Sequence, residues 1–562
     1  MTHFENLIHR VRSLLSGECQ ITFEIPSNQS AWFSVPIFHL AQKRNQSVAE
    51  VAKTIVSRLN SLSGVQAKVV GGYVNLAPTS SFARQILAEL STSKYQPESR
   101  TETIVIDYSS PNAAKPMSIG HLRSTVIGDA LKRIYQFLGY QVIGVNHLGD
   151  WGTQFGKLLV AYKRQFGDLT PRPELTVKDL LNLYVQFHTD ADQDRALADG
   201  ARAMFFQLEH ERRAQGQASE LVALWRQLVD LSKQELQSVY RRLGVEFSDE
   251  AIKGESEYDL EVKQVRKQAQ EMGILETSEG AQIIQVGDAC PPLIFEKTDG
   301  STTYGARDLG ALLYRLKTYR PAQVLYVVGS EQSLHFQQIF EAATSLDLLG
   351  VRTNKTILKH VKFGLVRLPE GKLSTRQGRV ILLEDVLNEA VKRAQAVIEA
   401  RVEGQPGDER ISEAVGIGAL KYFDLMHNCR HDILFNWERM LSLKGNSAPY
   451  LQYSYTRAVQ ILAKESDIEQ EVGVVPVELM PYIRTLARFP LIIEQVAEQS
   501  TPHTLAQYLG EVAADFHAFY ERFPVLQASA SDKTVRLAYV RATQKILKIG
   551  LNLLGIEALE RM

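Results

Sequence analysis

Apolar residues between positions 103 and 148 predict a strand, a helix and a second strand in succession. The run TIVIDYSS, which begins at residue 103, is rich in the β-branched residues that favour strands. A helix is indicated next, because apolar residues recur at spacings of three and four, and Gly139 is well placed to end it. The apolar positions of this helix are Leu122, Val126, Ile127, Ala130, Leu131, Ile134, Phe137 and Leu138. The second strand, QVIGVNHL at 141–148, completes a βαβ unit, which predicts a parallel sheet with a right-handed crossover.

The same patterns divide the chain into three regions. Residues 1–98 combine helical patterns with short β-like pieces, which indicates a small separate domain. Long, charged helical patterns fill 157–275, and β-like runs return before the segment EGQPGDER at 403–410. That segment carries glycine, proline and charge, so it predicts an exposed connection, and every pattern after it is helical. We therefore predict domains at 1–98, 99–410 and 411–562, with a helical insertion at about 157–280 in the second.

Composition narrows the class of protein without identifying it. The chain has 562 residues, of which 44% are hydrophobic and 23% charged, as is typical of folded globular domains. Its 63 basic and 64 acidic residues nearly balance, so charge alone gives no argument for nucleic-acid binding, although a local basic patch stays open. No apolar run reaches the roughly 18 residues of a membrane span, and the start lacks the pattern of a signal peptide. Cys19, Cys290 and Cys429 lie far apart, which favours a reducing, cytoplasmic location without disulfides or a structural metal.

The loop DYSSPNAAKPMSIGHLRS, at 107–124, joins the predicted strand to the predicted helix. Open α/β sheets bind ligands at this edge, because exposed backbone N–H groups and the helix dipole favour anions. Gly120 leaves room for a nucleotide, and Lys115 and His121 can supply charge to a phosphate. The loop matches neither the P-loop nor the dinucleotide-binding motif. Taken alone, its tetrapeptide SIGH also fits an ordinary connection between a strand and a helix.

The wider context of this loop resembles the signature region of arginyl-tRNA synthetases, a family of class I aminoacyl-tRNA synthetases. The stretch SSPNAAKPMSIGHLRSTVIGDALKRIYQFLGYQVIGVNHLGDWGTQFG carries the resemblance, with residues 118–121 at the HIGH motif. GKLSTRQG at 371–378 is similar to the KMSKS loop of the family. TTYGARDLGALL and YVVGSEQSLHFQQIF resemble its arginine-pocket segments. GGYVNL, GNSAPYLQYSYTRAVQIL and LLGIEALERM resemble its tRNA-binding ends, so the resemblance covers essentially the whole chain in order.

The resemblance implies a fold and an activity. The fold is α/β: a Rossmann-like parallel-sheet catalytic core with helical insertions, a small α+β N-terminal tRNA-binding domain and an all-α C-terminal anticodon-binding domain. The activity is ATP-dependent conversion of L-arginine to arginyl-adenylate and transfer of arginine to the 3′-terminal adenosine of tRNA(Arg), with release of pyrophosphate and AMP. The implied partners are tRNA(Arg), L-arginine and ATP with Mg²⁺. We expect a monomer that needs neither a membrane nor a protein-bound structural metal.

The resemblance also assigns roles to individual residues. Catalytic roles are implied for Lys115, Ser118, Gly120, His121, Lys372 and Ser374. ATP contacts are implied for Ser118, Gly120, His121 and Lys372. Arginine contacts are implied for Asp107, Ser109, Asn112, His121, Tyr304, Asp308 and Gln332. Contacts to tRNA are implied for Tyr73, Asn75, Tyr450, Gln452, Tyr453, Arg457, Tyr520 and Met562. Two alternatives stay open: Asp308 can be a helix N-cap, and most of the C-terminal aromatic residues can be core.

Two positions depart from the motifs. Ser118 stands where the HIGH motif has its first histidine, so a titratable ring is missing there. Thr375 stands where the KMSKS motif has its second lysine, and the resemblance implies that Lys115 supplies the missing phosphate charge. These departures leave open that the chain is a non-catalytic RNA-binding relative. The retained residues argue against that alternative: Lys115, His121, Tyr304, Asp308 and Lys372. A different adenylyl-transferring enzyme is a second alternative, but it has no use for a helical C-terminal third.

Overall fold

The computed structural model describes most of the chain and divides it into two compact units. One unit is formed by Met1–Glu98 together with Glu438–Met562, and the other by Ser99–Trp437. The described residues are 3–15, 31–92, 95, 97–194, 196–215, 219–287, 290–350, 356–367, 381–400, 408–465 and 471–562.

The N-terminal part of the first unit is a three-stranded antiparallel sheet flanked by helices. Its elements are α1 (His3–Leu15), β1 (Phe33–Pro36), α2 (Phe38–Arg44), α3 (Val48–Leu59), β2 (Val65–Val70), β3 (Tyr73–Pro78) and α4 (Ser80–Thr92). β3 lies between β1 and β2, which agrees with the β-like pieces expected in this region.

A five-stranded parallel sheet forms the centre of the second unit. In chain order this unit contains β4 (Thr103–Asp107), α5 (Ile119–Phe137), β5 (Gln141–Leu148), α6 (Thr153–Phe166), α7 (Val177–Ala191), α8 (Ala196–Gln215), α9 (Glu220–Leu243), β6 (Ile252–Gly254), α10 (Asp259–Glu271), β7 (Leu275–Ser278), β8 (Ala281–Ile284), β9 (Leu293–Glu296), α11 (Tyr304–Tyr319), β10 (Gln323–Gly329), α12 (Ser333–Ser345), β11 (Ile357–Phe363), β12 (Val366–Arg367), α13 (Leu383–Glu399), α14 (Glu409–Leu425) and β13 (Ile433–Leu434). The strand order is β11-β10-β4-β5-β6, and all four neighbouring pairs are parallel. β5 follows β4 on one side and β10 lies on the other, so the connections diverge at β4. Such a switch point is where open α/β sheets bind ligands.

The predicted α/β class and the βαβ unit are confirmed. β4, α5 and β5 occupy the predicted segments, and Gly139 adopts φ +85° just after α5, a conformation that glycine reaches without strain. β6 departs from the sequence pattern, because it lies in a stretch that reads as helical. Its three residues take their conformation from pairing with Asn146–Leu148 of β5, a contact that local periodicity does not encode.

The second unit continues past the connection predicted at 403–410. α14 packs against α13 and α5, so its buried face belongs to the core of this unit. The C-terminal part of the first unit is helical: α15 (Trp437–Met440), which begins at the last residue of the second unit, is followed by α16 (Ala448–Leu462), α17 (Met480–Ala487), α18 (Phe489–Gln499), α19 (Pro502–Arg522) and α20 (Ala530–Leu553). α17 and α20 pack against α4, which joins the two ends of the chain. None of the helices in the described ranges is long and apolar enough to cross a bilayer.

Candidate active site

The loop after β4 has an unusual backbone that is held by hydrogen bonds. Ser109, Ser110 and Ala114 adopt positive φ angles of 70°, 46° and 61°. Non-glycine residues rarely take this conformation, and it persists only where the surroundings impose it. The Ser109 N–H donates to Ser124 Oγ at 2.9 Å, and the Ser110 N–H donates to Asn146 Oδ1 at 3.1 Å. The loop is therefore preorganised at the sheet edge where ligands are expected.

Ser118 and His121 form the start of α5. The Ser118 N–H donates to His121 Nδ1 at 3.0 Å, and Ser118 Oγ lies 3.1 Å from the same nitrogen. Burial lowers the pKa of His121, so the ring is neutral at pH 7. With Nδ1 accepting, the remaining proton is on Nε2. Gly120 is exposed, and a Cβ placed there would meet only Ser118 Oγ at 3.5 Å, which leaves an open approach.

The segment after the KMSKS-like loop pairs directly with the HIGH-like motif. Ser118 forms an antiparallel bridge with Leu382, and the Ile119 N–H donates to Ile381 O at 3.1 Å. Lys372 and Ser374, like Thr375, lie outside the described residues. The next described residue along the chain, Ile381, contacts the start of α5 through its carbonyl oxygen. The segment that follows the KMSKS-like motif in the sequence thus lies against the HIGH-like motif.

Arg123, two residues after the HIGH-like motif, anchors α5 to other parts of the second unit. Its side chain is 1% exposed, and Nε donates to Asp424 Oδ2 of α14 at 3.0 Å. Nη1 donates to the carbonyl oxygens of Gly364 and His431 at 2.6 and 2.9 Å. The sequence pattern gave no reason to single out Arg123, because its partners are far from it in sequence and meet it only in the folded protein.

Lys115 has a partner on the helical insertion. Its Nζ lies 4.2 Å from the centroid of the Tyr184 ring on α7, a cation–π contact. The role predicted for Lys115 at the phosphates stays a prediction, and Tyr184 is the residue with which such a role would compete.

Asp308 lies within α11, one turn after Tyr304. The N-cap of α11 is Thr303, whose side chain accepts from the Ala306 N–H, so Asp308 is not the N-cap that the sequence left open. Its Oδ2 is 2.6 Å from His335 Nε2, and its Oδ1 is 3.4 Å from His147 Nε2. Burial by itself would raise the pKa of Asp308, but the hydrogen bonds from both histidines outweigh it and lower that pKa below its ordinary value. The carboxylate is therefore negative at neutral pH.

A large cleft opens beside Tyr304. It has a volume of about 1050 Å³, and the Tyr304 ring at its border is 66% exposed and 4.7 Å from the His335 ring. Asn112, also predicted to contact arginine, borders the same cleft. Gln332 is exposed in the turn between β10 and α12. Other residues around the cleft are Trp151, Gln154, Phe205, Glu255 and Arg307. Burial raises the pKa of Glu255 to about 7.

Asp107 and Ser109, two of the predicted arginine contacts, already have partners within the protein. Arg315 Nη2 lies 2.8 Å from Asp107 Oδ2, with both side chains nearly inaccessible, and Ser110 Oγ donates to Oδ1 at 2.7 Å. Ser109 Oγ shares a hydrogen bond of 2.7 Å with the hydroxyl of Tyr240. Contact with arginine stays a prediction for both residues, but the protein's own guanidinium at Arg315 already neutralises Asp107.

In the first unit, two of the predicted tRNA contacts are buried. Asn75 is 8% exposed and its side chain accepts a hydrogen bond from Ser34 Oγ. Gln452 is 0% exposed, and its Nε2 donates to Glu557 O at 2.9 Å. Both side chains form hydrogen bonds within the fold, and little of either is exposed for contact with an RNA base.

The remaining predicted tRNA contacts are half-buried, and several form an aromatic cluster. Tyr450 and Tyr453 both stack on His517, with interplanar angles of 26° and 4°. The Arg457 guanidinium lies 4.9 Å from the centroid of the Tyr520 ring. Tyr73 contacts the exposed Phe38 ring edge to face, and Met562 is half-buried. His517 was missed by sequence reasoning, since only the fold places it against two tyrosines.

Comparisons with known proteins match both parts of the chain. A family model described as tRNA synthetases class I (R), catalytic domain, matches residues 84–437, and one described as DALR anticodon binding domain matches 451–562. The arginine–tRNA ligase of Clostridium acetobutylicum is 35% identical over 576 residues, covering 100% of both chains. Arginine–tRNA ligase 1 of Bacillus cereus is 39% identical over 536 residues, covering 94% of this chain and 93% of that protein.

Solved structures agree on the fold. The arginyl-tRNA synthetase of Thermus thermophilus superposes with a TM-score of 0.84 at 22% identity, covering 99% of this chain and 100% of that one. The enzyme from Plasmodium falciparum gives a TM-score of 0.82 at 24% identity, covering 100% and 98%. With the family match over most of the chain and full-length relatives above 30% identity, this chain belongs to the arginyl-tRNA synthetase family of class I tRNA synthetases.

Proposed function

We propose that this chain activates L-arginine with ATP and transfers arginine to the 3′-terminal adenosine of tRNA(Arg), releasing pyrophosphate and AMP. Family membership supports the reaction, and the Asp308 carboxylate supports the specificity for arginine. Guanidinium is a planar, permanent cation that calls for a carboxylate partner. Asp308 is ionised, 22% exposed and one helical turn from the exposed Tyr304, at the switch point of the sheet.

ATP is proposed to bind where Ser118 bridges Leu382. Neutral His121 offers an Nε2–H donor there, and Gly120 leaves the approach open. Donors placed before the reaction stabilise the charge that develops as the arginine carboxylate attacks the α-phosphate and pyrophosphate leaves. Lys372 and Ser374 are proposed to act on the phosphates from their loop, and Mg²⁺ to arrive with ATP, whose phosphate oxygens suit a hard cation.

The cleft beside Tyr304 is proposed to receive the acceptor end of the tRNA. Exposed RNA bases are bound by stacking on aromatic rings and by polar edges, and the exposed Tyr304 and Asn112 provide these two kinds of group. In the first unit, Tyr73, the cluster of Tyr450, Tyr453, Arg457 and Tyr520, and Met562 are proposed to contact tRNA. The free cysteines Cys290 and Cys429 suit a reducing compartment, and we propose a cytoplasmic monomer.

Arginine-dependent pyrophosphate exchange tests this function. The full chain is assayed with ATP and labelled pyrophosphate, with and without tRNA(Arg). Arginine should support exchange, whereas citrulline, a neutral isostere, and lysine, a point charge, should not. A different adenylyl-transferring enzyme would exchange without arginine, and a non-catalytic relative would not exchange at all. Either result would overturn the proposal.

A further inference from the structure

Each oxygen of the Asp308 carboxylate lies near a histidine from a different element: Oδ2 is hydrogen-bonded by His335, and Oδ1 is 3.4 Å from His147 Nε2. His335 comes from the first turn of α12 and His147 from the end of β5. The two histidine side chains are 8% and 12% exposed, whereas the Asp308 side chain is 22% exposed. The imidazoles are thus more enclosed than the carboxylate, which stays open to a ligand.

The net charge of this cluster depends on the protonation of the two imidazoles. When both rings are neutral, the cluster carries the single negative charge of Asp308, which complements a guanidinium. One bound proton cancels that charge and a second reverses it. Because imidazolium and guanidinium compete for the same carboxylate, arginine binds at full strength only after the pair has lost its proton.

The surroundings favour a proton on His147. Burial by itself lowers the pKa of His147, but Asp308 outweighs burial and raises that pKa above its ordinary value. Arg315 is paired with Asp107, so the charges of those two residues largely offset each other. The titratable and charged groups that face the cluster are Asp107, Asp150, Glu255, Tyr258, Tyr304, Arg315, Tyr326 and His360. Among them Glu255, with a pKa of about 7, is the second group whose proton a cation could displace.

We propose that His147 and His335 are positioning residues that couple arginine selection to proton release: guanidinium binding at Asp308 expels one proton from the imidazole pair. This inference rests on the proposed function, because it takes Asp308 as the partner of arginine. The KM for arginine should be independent of pH where the pair is neutral. Below the pKa of the pair in the free enzyme, it should rise about tenfold per pH unit. The KM for ATP should lack this dependence.

Proton release is measured by isothermal titration calorimetry of the full chain with arginine at pH 7, in two buffers of different ionisation enthalpy. The parent should release a measurable fraction of a proton per arginine. The double variant His147→Gln, His335→Gln should release almost none, because each amide keeps an N–H donor but cannot titrate. Its KM for arginine should stay flat between pH 6 and 8. His9→Gln, which changes an exposed histidine of α1, is the matched control and should behave as the parent.

Each outcome decides between distinct explanations. A parent that binds arginine without releasing a proton, or a double variant that keeps the pH slope, overturns the histidine proposal while leaving the proposed function intact. Loss of proton release in Glu255→Gln, with release retained in the histidine variants, assigns the proton to Glu255 and also overturns it. The single variants are measured as well, with circular dichroism as a check on folding. Each should release less than the parent if the pair shares the proton. Absence of arginine binding and exchange in the parent refutes the proposed function itself.

Discussion

Replacing Asp308 with asparagine removes one negative charge and leaves the shape of the side chain almost unchanged. In the parent, a bound guanidinium would meet a carboxylate that is hydrogen-bonded by His335 and lies 3.4 Å from the His147 imidazole. The Asp308 side chain is only 22% exposed and is the carboxylate assigned to the substrate's cation, so its loss leaves that charge largely uncompensated. Breaking a buried ion pair by removing one partner costs about 3–5 kcal/mol. This corresponds to a rise of about 10²- to 10⁴-fold in the KM for arginine.

The pH at which Asp308→Asn is measured follows from the pKa of Asp308. This pKa lies below its ordinary value, so ionised Asp308 stabilises the folded protein at every pH above its unfolded pKa of about 3.9. That stabilisation is lost only as the pH falls through the lower pKa of the folded state. Asp308 is therefore ionised throughout the range from pH 6 to 8. Across this range the variant therefore removes a full carboxylate charge.

Pyrophosphate exchange in the presence of tRNA(Arg) measures both substrates. The KM for ATP should change little, because Asp308 is assigned to the amino acid alone. Asp249→Asn, which alters an exposed carboxylate of the same unit, is the matched control and should retain parental values. Circular dichroism checks that the variant is folded. A KM for arginine within a few-fold of the parent would refute the assignment of Asp308 and the electrostatic reasoning behind it.

Three further predictions address the phosphates, the C-terminus and the anchor of α5. Lys115→Ala should lower kcat for exchange by about 10²- to 10³-fold with little change in the KM for arginine, the scale for losing one preorganised donor; an unchanged kcat would leave Lys115 as a partner of Tyr184 only. Deleting residues 561–562 should raise the KM for tRNA(Arg) in aminoacylation, because it removes the tRNA contact predicted for Met562. The hydrogen bond from Thr456 to Leu559 O stays in place, so the fold should be kept. An unaltered KM would remove Met562 from the tRNA contacts. Arg123→Ala should destabilise the second unit by about 3–5 kcal/mol, because a buried carboxylate loses its partner; a thermal unfolding midpoint equal to that of the parent would contradict this.

Local elements and the order of the motifs could be read from the sequence. Runs of β-branched and apolar residues identified β4 and β5, and apolar residues at spacings of three and four identified α5. The spacing of Tyr304 and Asp308 placed both on one face of α11, and the capping residue proved to be Thr303. The HIGH-like and KMSKS-like motifs were identified by resemblance, whereas the pairing of Ser118 with Leu382, which follows the second motif, is a result of the fold.

Only the tertiary structure decided which side chains are already engaged. Arg315 neutralises Asp107, and Gln452 donates a hydrogen bond to Glu557 O inside the first unit. The local sequence predicts neither interaction. The imidazoles on Asp308 come from β5 and α12, which neighbour α11 only after the sheet has formed. The physical reason is the range of the interactions. Periodicity records which face of an element is buried, whereas the partner of a buried charge depends on elements that are distant in sequence and brought together by packing.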